Sequence, residues 1–100
     1  MIVVSGTITI DPAKHDRMVE LLSALVPATQ AEAGNVTYGF YQGPEGGGEW
    51  RIFEEWESED ALNAHMVSPH MAEFMGSMGD VGVTGAELSR YDVSAKSKLM

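Results

Sequence analysis

Two of the three histidines in this chain, His65 and His70, lie five residues apart, in a stretch that also carries Met66, Met71, Met75 and Met78. An imidazole with a pKa near its ordinary value of about 6.5 exchanges a proton close to neutrality. Methionine is flexible and lines adaptable apolar sites. A titratable ring beside such a wall is where small-molecule chemistry is to be sought. By helical spacing His65 shares a face with Leu62 and Met66, which makes it the candidate base at a pocket wall. The alternative is a histidine that only bonds a backbone group at the core's edge. His70 flanks the Met71 stripe rather than facing inward.

As a metal pair the two histidines read poorly. Five residues turn a continuous helix by roughly 140°. Pro69 intervenes, and no carboxylate stands at a supporting spacing, so a facial triad is not expected. His15, on the polar side of the first helix, is expected to be solvated. The candidate ligand contacts are Tyr38, Trp50, Met66, His70, Met71, Phe74 and Met75. Aromatic faces among them would stack a flat phenolic ring, and core packing is the alternative for each. Arg51 and Asn63 could add a polar contact at the rim. The acidic run Glu54, Glu55, Glu57, Glu59 and Asp60 reads as a solvated face and a helix start. Gly46-Gly47-Gly48 lacks the lysine and following helix of a phosphate loop.

The elements that must position these residues follow from periodicity. Residues 2–10 alternate with period two and are rich in β-branched side chains, which predicts a strand. Asp11-Pro12 is an N-cap followed by proline in a first helical turn. Met18, Leu21, Leu22 and Leu25 then predict an amphipathic helix over 12–26. Pro27 is expected to break or kink it, with a short helical piece over 28–33 ending at Gly34. Residues 35–43 alternate again, with Val36, Tyr38 and Phe40 on one face. Residues 49–57 form a third strand with Trp50, Ile52, Glu54 and Trp56 together. Ser58 and Ser68-Pro69 each start a helix. Met71, Phe74, Met75 and Met78 make the buried stripe of the second of these. Residues 82–93 read as a last strand, and 94–100 as a frayed polar tail.

The order β-α-β-β-α-β, with right-handed crossovers, gives an antiparallel four-stranded sheet in the order 4-1-3-2 with helices on one face. This is a ferredoxin-like α+β sandwich occupying residues 1–93 as a single domain. Large aromatics on both faces of the central strands imply that a second copy covers the open sheet face.

Composition narrows the partners. The formal charge of −9 repels phosphate backbones and anionic lipid, so neither nucleic acid nor a membrane surface is expected. With no cysteine, disulfides and thiolate chemistry are excluded. The N-terminus reads as a strand rather than a signal peptide, and a cytoplasmic location is the expectation.

The segments Pro27-Ala28-Thr29, Glu32-Ala33-Gly34-Asn35, Tyr38, Glu54-Glu55-Trp56-Glu57-Ser58, Ala61-Leu62, His65 and Ser68-Pro69-His70 resemble the antibiotic biosynthesis monooxygenase (ABM) domain over residues 2–93. The resemblance implies a homodimeric ferredoxin-like fold, of the kind described as a dimeric α/β barrel. It also implies one of several activities: cofactor-independent oxygenation of polyphenols and quinols, haem degradation, or isomerisation of a sugar-phosphate type. The haem-degrading branch carries tryptophan where His65 stands, histidine where Met75 stands and asparagine near Gly6, so the resemblance argues against haem. The expectation is a cofactor-independent monooxygenase using molecular oxygen as co-substrate, with His65 as base and no metal. The alternatives are a non-catalytic dimer that scavenges a hydrophobic metabolite, and a proton-shuttling isomerase.

Overall fold

Residues 1–100 are described by a computed structural model. Its strands are β1 (Ile2–Thr9), β2 (Asn35–Tyr41), β3 (Glu49–Trp56) and β4 (Gly85–Asp92), and its helices are α1 (His15–Gln30), α2 (Glu59–Met66) and α3 (Pro69–Gly76). Short 3-10 turns at Pro12–Lys14 and Met78–Val81 lead into α1 and out of α3. All strand pairs are antiparallel and the sheet order is β2-β3-β1-β4, the ferredoxin-like α+β arrangement expected from the element order. The sheet is open, with β2 and β4 as its edges. The barrel wording of the expectation is therefore corrected, because no strand closes β2 onto β4 within the chain.

The core lies between one sheet face and the helices. Ile2, Ile8, Trp50, Ile52 and Trp56 point from the sheet toward Met18, Leu22 and Leu25 of α1, Leu62 of α2 and Phe74 of α3, all buried. The opposite face carries Ser5, Thr7, Arg51, Glu87, Ser89 and Tyr91 around a shallow polar hollow. Gly6 sits where the backbone of β4 lies close against β1. A Cβ there would lie 1.9 Å from the Glu87 carbonyl oxygen, so this position needs a residue with no side chain.

Several local expectations are corrected. α1 does not break at Pro27 but runs through it to Gln30. Proline forfeits one helical hydrogen bond, yet the ladder resumes beyond it, with the Ala31 N–H donating to the Pro27 carbonyl at 3.1 Å. Buried Leu25 and Thr29 anchor the turns on either side. Val36 does not share the buried face of Tyr38, because the β2–β3 register slips between Asn35 and Thr37 and leaves Val36 exposed. His15 is not simply solvated; its ring stacks on Trp50 with centroids 5.5 Å apart. In the tail, Lys96 reaches back to pair with Glu55 at 3.1 Å. No helix is long and apolar enough to cross a membrane.

The α2–α3 corner is fixed by one hydroxyl. Ser68 Oγ donates to the His65 carbonyl at 2.7 Å and accepts from the Met71 N–H at 3.3 Å. A single side chain thus closes one helix and caps the next, and Pro69 at the first helical position sets the new direction.

Candidate active site

A cavity of about 270 Å³ opens between the sheet and α3. Its floor is Ile8, Ile52, Tyr38 and Phe40; its far wall is Met71, Phe74, Met75 and Met78; and Val83, Ala86 and Leu88 complete it from the last strand and the segment before it. Phe40 meets both Tyr38 and Phe74 edge-on, with centroids 5.8 Å apart in each case. The single charged residue among these apolar neighbours is Glu54.

Glu54 is placed by strand alternation. It projects from β3 on the same face as Trp50, Ile52 and Trp56 and is buried with them. The Trp56 indole Nε1–H donates to Glu54 Oε1 at 2.9 Å. Burial raises the carboxyl above the usual glutamate range, and the Trp56 hydrogen bond and His65 only partly oppose this. The group is thereby moved toward the pKa a general base needs near neutrality. Burial, reinforced by the charge on Glu54, also raises the Tyr38 hydroxyl. It therefore remains a neutral phenol beside the carboxylate.

The candidates drawn from the sequence divide three ways. Tyr38, Met71, Phe74 and Met75 line the cavity, Met75 at its mouth with 58% of its surface exposed. Trp50 is buried but lies outside the lining, against His15. Met66 is 57% exposed and contributes nothing to the lining, because α2 ends there and turns its inward face over to His65. Arg51 is on the open sheet face, near Ser5.

His65 is only 1% exposed, yet its ring is not part of the cavity lining. It packs against Tyr38 and Trp56, with centroids 5.2 and 4.9 Å away. Nδ1 lies 2.7 Å from Glu32 Oε2, and Nε2 is buried with no hydrogen-bond partner. The same Glu32 oxygen lies 2.9 Å from His70 Nε2. The expectation that no carboxylate supports the two histidines is thus corrected. The 140° argument assumed one continuous helix, whereas the Ser68-Pro69 corner folds α3 back so that both rings reach Glu32. That residue arrives from the turn after α1, far away in sequence. Glu32, His65 and His70 together offer a set of side-chain donors able to hold a metal ion.

Glu54 was visible to the alternation of β3, which groups it with two tryptophans, but it also belongs to an acidic run that reads as solvated. The structure overturns that reading for Glu54 and for Glu55, both buried. Glu55 is on the other sheet face, where a hydrogen bond from Thr37 Oγ1 at 2.6 Å and the nearby Lys96 hold its carboxyl below the usual range. Glu32 carried no local signal beyond its place before Gly34.

The family model for antibiotic biosynthesis monooxygenases matches residues 1–77. The chain belongs to the ABM family. Among its relatives is the Mycobacterium tuberculosis protein Rv0793, which bears a provisional monooxygenase name and is 33% identical over 70% of this chain and 68% of its own length. The solved structure of Rv0793 superposes with a TM-score of 0.85 over 97% of this chain and 98% of that one, at 25% identity. The Synechocystis protein sll1783 is 28% identical over 98% of this chain and 67% of its own length. A Deinococcus radiodurans structure at 21% identity shares the fold, with a TM-score of 0.89 over 100% of this chain and 99% of that one. ABM membership accounts for the fold. The chemistry of a particular member rests on the side chains in that cavity.

Proposed function

We propose that this ABM protein is a cofactor-independent monooxygenase that oxidises a small, flat, electron-rich phenol or quinol with molecular oxygen. The observation that carries the reading is one buried carboxylate, Glu54, in an otherwise apolar cavity of about 270 Å³. That volume suits a compact aromatic molecule. Phe40 and Phe74 offer ring faces and edges for it, and the methionines adapt to its outline.

In this mechanism Glu54 takes the proton of the substrate hydroxyl. The resulting anion gives one electron to oxygen, and the radical pair joins at a ring carbon to form a peroxide. The carbon then loses its hydrogen as the O–O bond breaks. One oxygen atom stays as a carbonyl and the other leaves as water, with Glu54 returning its proton to the departing oxygen. The protein contributes orientation and a water-poor enclosure. The base role thereby moves from His65 to Glu54, because a base must reach the proton it removes and Glu54 is the carboxylate in the lining, while the Tyr38 hydroxyl beside it stays protonated. His65 backs Tyr38 from behind.

We also propose a homodimer formed through the open sheet face. There Tyr41 and Tyr91 are half-exposed on the same face as the partly buried Phe53, and a second sheet would cover them.

The test is oxygen uptake with a menadiol-type quinol in metal-free buffer, above the protein-free background. Glu54→Gln should lower the rate by roughly a hundredfold or more. A Glu54→Gln rate equal to wild type, with His65→Ala inactive, would return the base to His65. Ligand-induced melting shifts with no uptake in wild type would make the protein a binding module instead.

A further inference from the structure

We propose that Glu32, His65 and His70 form a binding site for one divalent transition-metal ion per chain, of the zinc class, that clamps the end of α1 to the α2–α3 corner. This inference is independent of the oxygen chemistry above, since none of the three residues lines the cavity.

The donor set comes first. Glu32 Oε2 lies 2.7 Å from His65 Nδ1 and 2.9 Å from His70 Nε2, and the donor atoms all fall within 4.8 Å of one another. Two imidazole nitrogens and one carboxylate oxygen suit zinc and its neighbours rather than magnesium or calcium, which take oxygen donors. Bonds of roughly 2.0–2.2 Å at tetrahedral angles set donors roughly 3.4 Å apart, so the two Glu32 distances would lengthen slightly, and the two imidazole nitrogens already lie within 4.8 Å of each other.

The second point is that the donors are held by frames that do not depend on the cluster. Ser68 fixes the corner on which both histidines stand, through its hydrogen bonds with the His65 carbonyl and the Met71 N–H. Glu32 is held in the turn after α1, where its N–H donates to the Thr29 carbonyl at 2.9 Å and its carbonyl accepts from the Asn35 N–H at 3.2 Å. Gly34 completes that turn at φ +83°. Donors positioned in advance bind an ion at less entropic cost.

Third, the carboxylate is not already neutralised by a fixed cation. The nitrogen partners of Glu32 within 4 Å are these two imidazoles, with no lysine or arginine among them. Each ring can give up its N–H and offer the same nitrogen to a metal. Access exists, because His70 is 23% and Glu32 16% exposed at the side chain while His65 forms the closed back of the site. The net charge of −9 draws cations to the surface.

The experiment is calorimetric titration of the EDTA-dialysed full chain with ZnCl2, paired with visible absorption on addition of CoCl2. Saturable binding of one ion per chain is expected, with cobalt bands of a nitrogen–oxygen site and a melting temperature that rises with zinc. His70→Ala should weaken zinc binding at least tenfold, and Glu32→Gln should do the same while leaving the fold's shape intact. His15→Ala, at the opposite end of α1, should bind like wild type. Absence of saturable binding in the wild type overturns the proposal. So does equal affinity in wild type and folded Glu32→Gln, verified by circular dichroism, even if His70→Ala misfolds.

Discussion

Glu54 and Trp56 occupy the same face of β3, two residues apart, and the indole of one donates to the carboxylate of the other at 2.9 Å. A strand brings every second side chain to one face, so the sequence places the donor beside the acceptor without any long-range closure. The tertiary structure then seals both from water. The indole is the one hydrogen-bond donor to the carboxylate, which is too little to offset burial, and the glutamate is left reluctant to ionise.

That reluctance has a signature in stability. The folded-state pKa of Glu54 is raised above that of the unfolded chain. Below the ordinary glutamate pKa of about 4.3 both states are protonated and the residue costs nothing. As pH rises from there through the raised value, the unfolded chain gives up its proton before the folded one does, and stability falls until both are ionised. Glu54→Gln keeps an acceptor for Trp56 and removes the charge. It should be more stable than wild type in urea at pH 7.5, with the difference closing by about pH 4. Equal urea midpoints at pH 7.5 would contradict the assignment.

Trp56→Phe should raise the Glu54 pKa further, since the hydrogen bond that favours the ionised form is gone. Carbon-13 NMR of the glutamate carboxyls, followed against pH, reads this directly. A cost of about 1–3 kcal/mol in stability is also expected from the unpaired acceptor and the smaller ring.

Ser68→Ala should cost about 1–2 kcal/mol, because one hydroxyl supplies both the α3 N-cap and a bond to the end of α2. The Glu32–His65–His70 cluster should loosen with it. The check is chemical denaturation together with the His70 side-chain chemical shifts.

Gly6→Ala should destabilise the fold by about 1–3 kcal/mol or more, since its Cβ would lie 1.9 Å from the Glu87 carbonyl oxygen and push β4 away from β1. Amide hydrogen exchange should show the loss first along β4, the edge strand.

Ala86→Trp should fill the cavity from an exposed position on β4. Quinol-dependent oxygen uptake should fall to background while the melting temperature stays within a few degrees of wild type. Retained uptake would mean that the substrate binds elsewhere.

Local pattern determined much of this molecule. The β-branched alternation of residues 2–10 and the caps at Ser58 and Ser68 depend on near neighbours and appear where the spacing puts them, whereas of the expected buried stripe Phe74 is buried, Met71 and Met78 are partly buried and Met75 is exposed. The sheet order follows too, because short connections and right-handed crossovers leave few alternatives. Pro27 does not end α1, because its local penalty is outweighed by the packing of α1 on the sheet, which no window of the sequence contains. Only the tertiary structure decided which polar groups became buried. Glu54 is buried because its face of β3 is closed by α2 with His65 and, across the cavity, by α3. Glu32 meets His65 and His70 because the chain turns twice, at Gly34 and at Ser68-Pro69, across more than thirty residues. Periodicity reports the face a side chain occupies, whereas the environment of a titratable group is set by whatever the rest of the chain lays against that face.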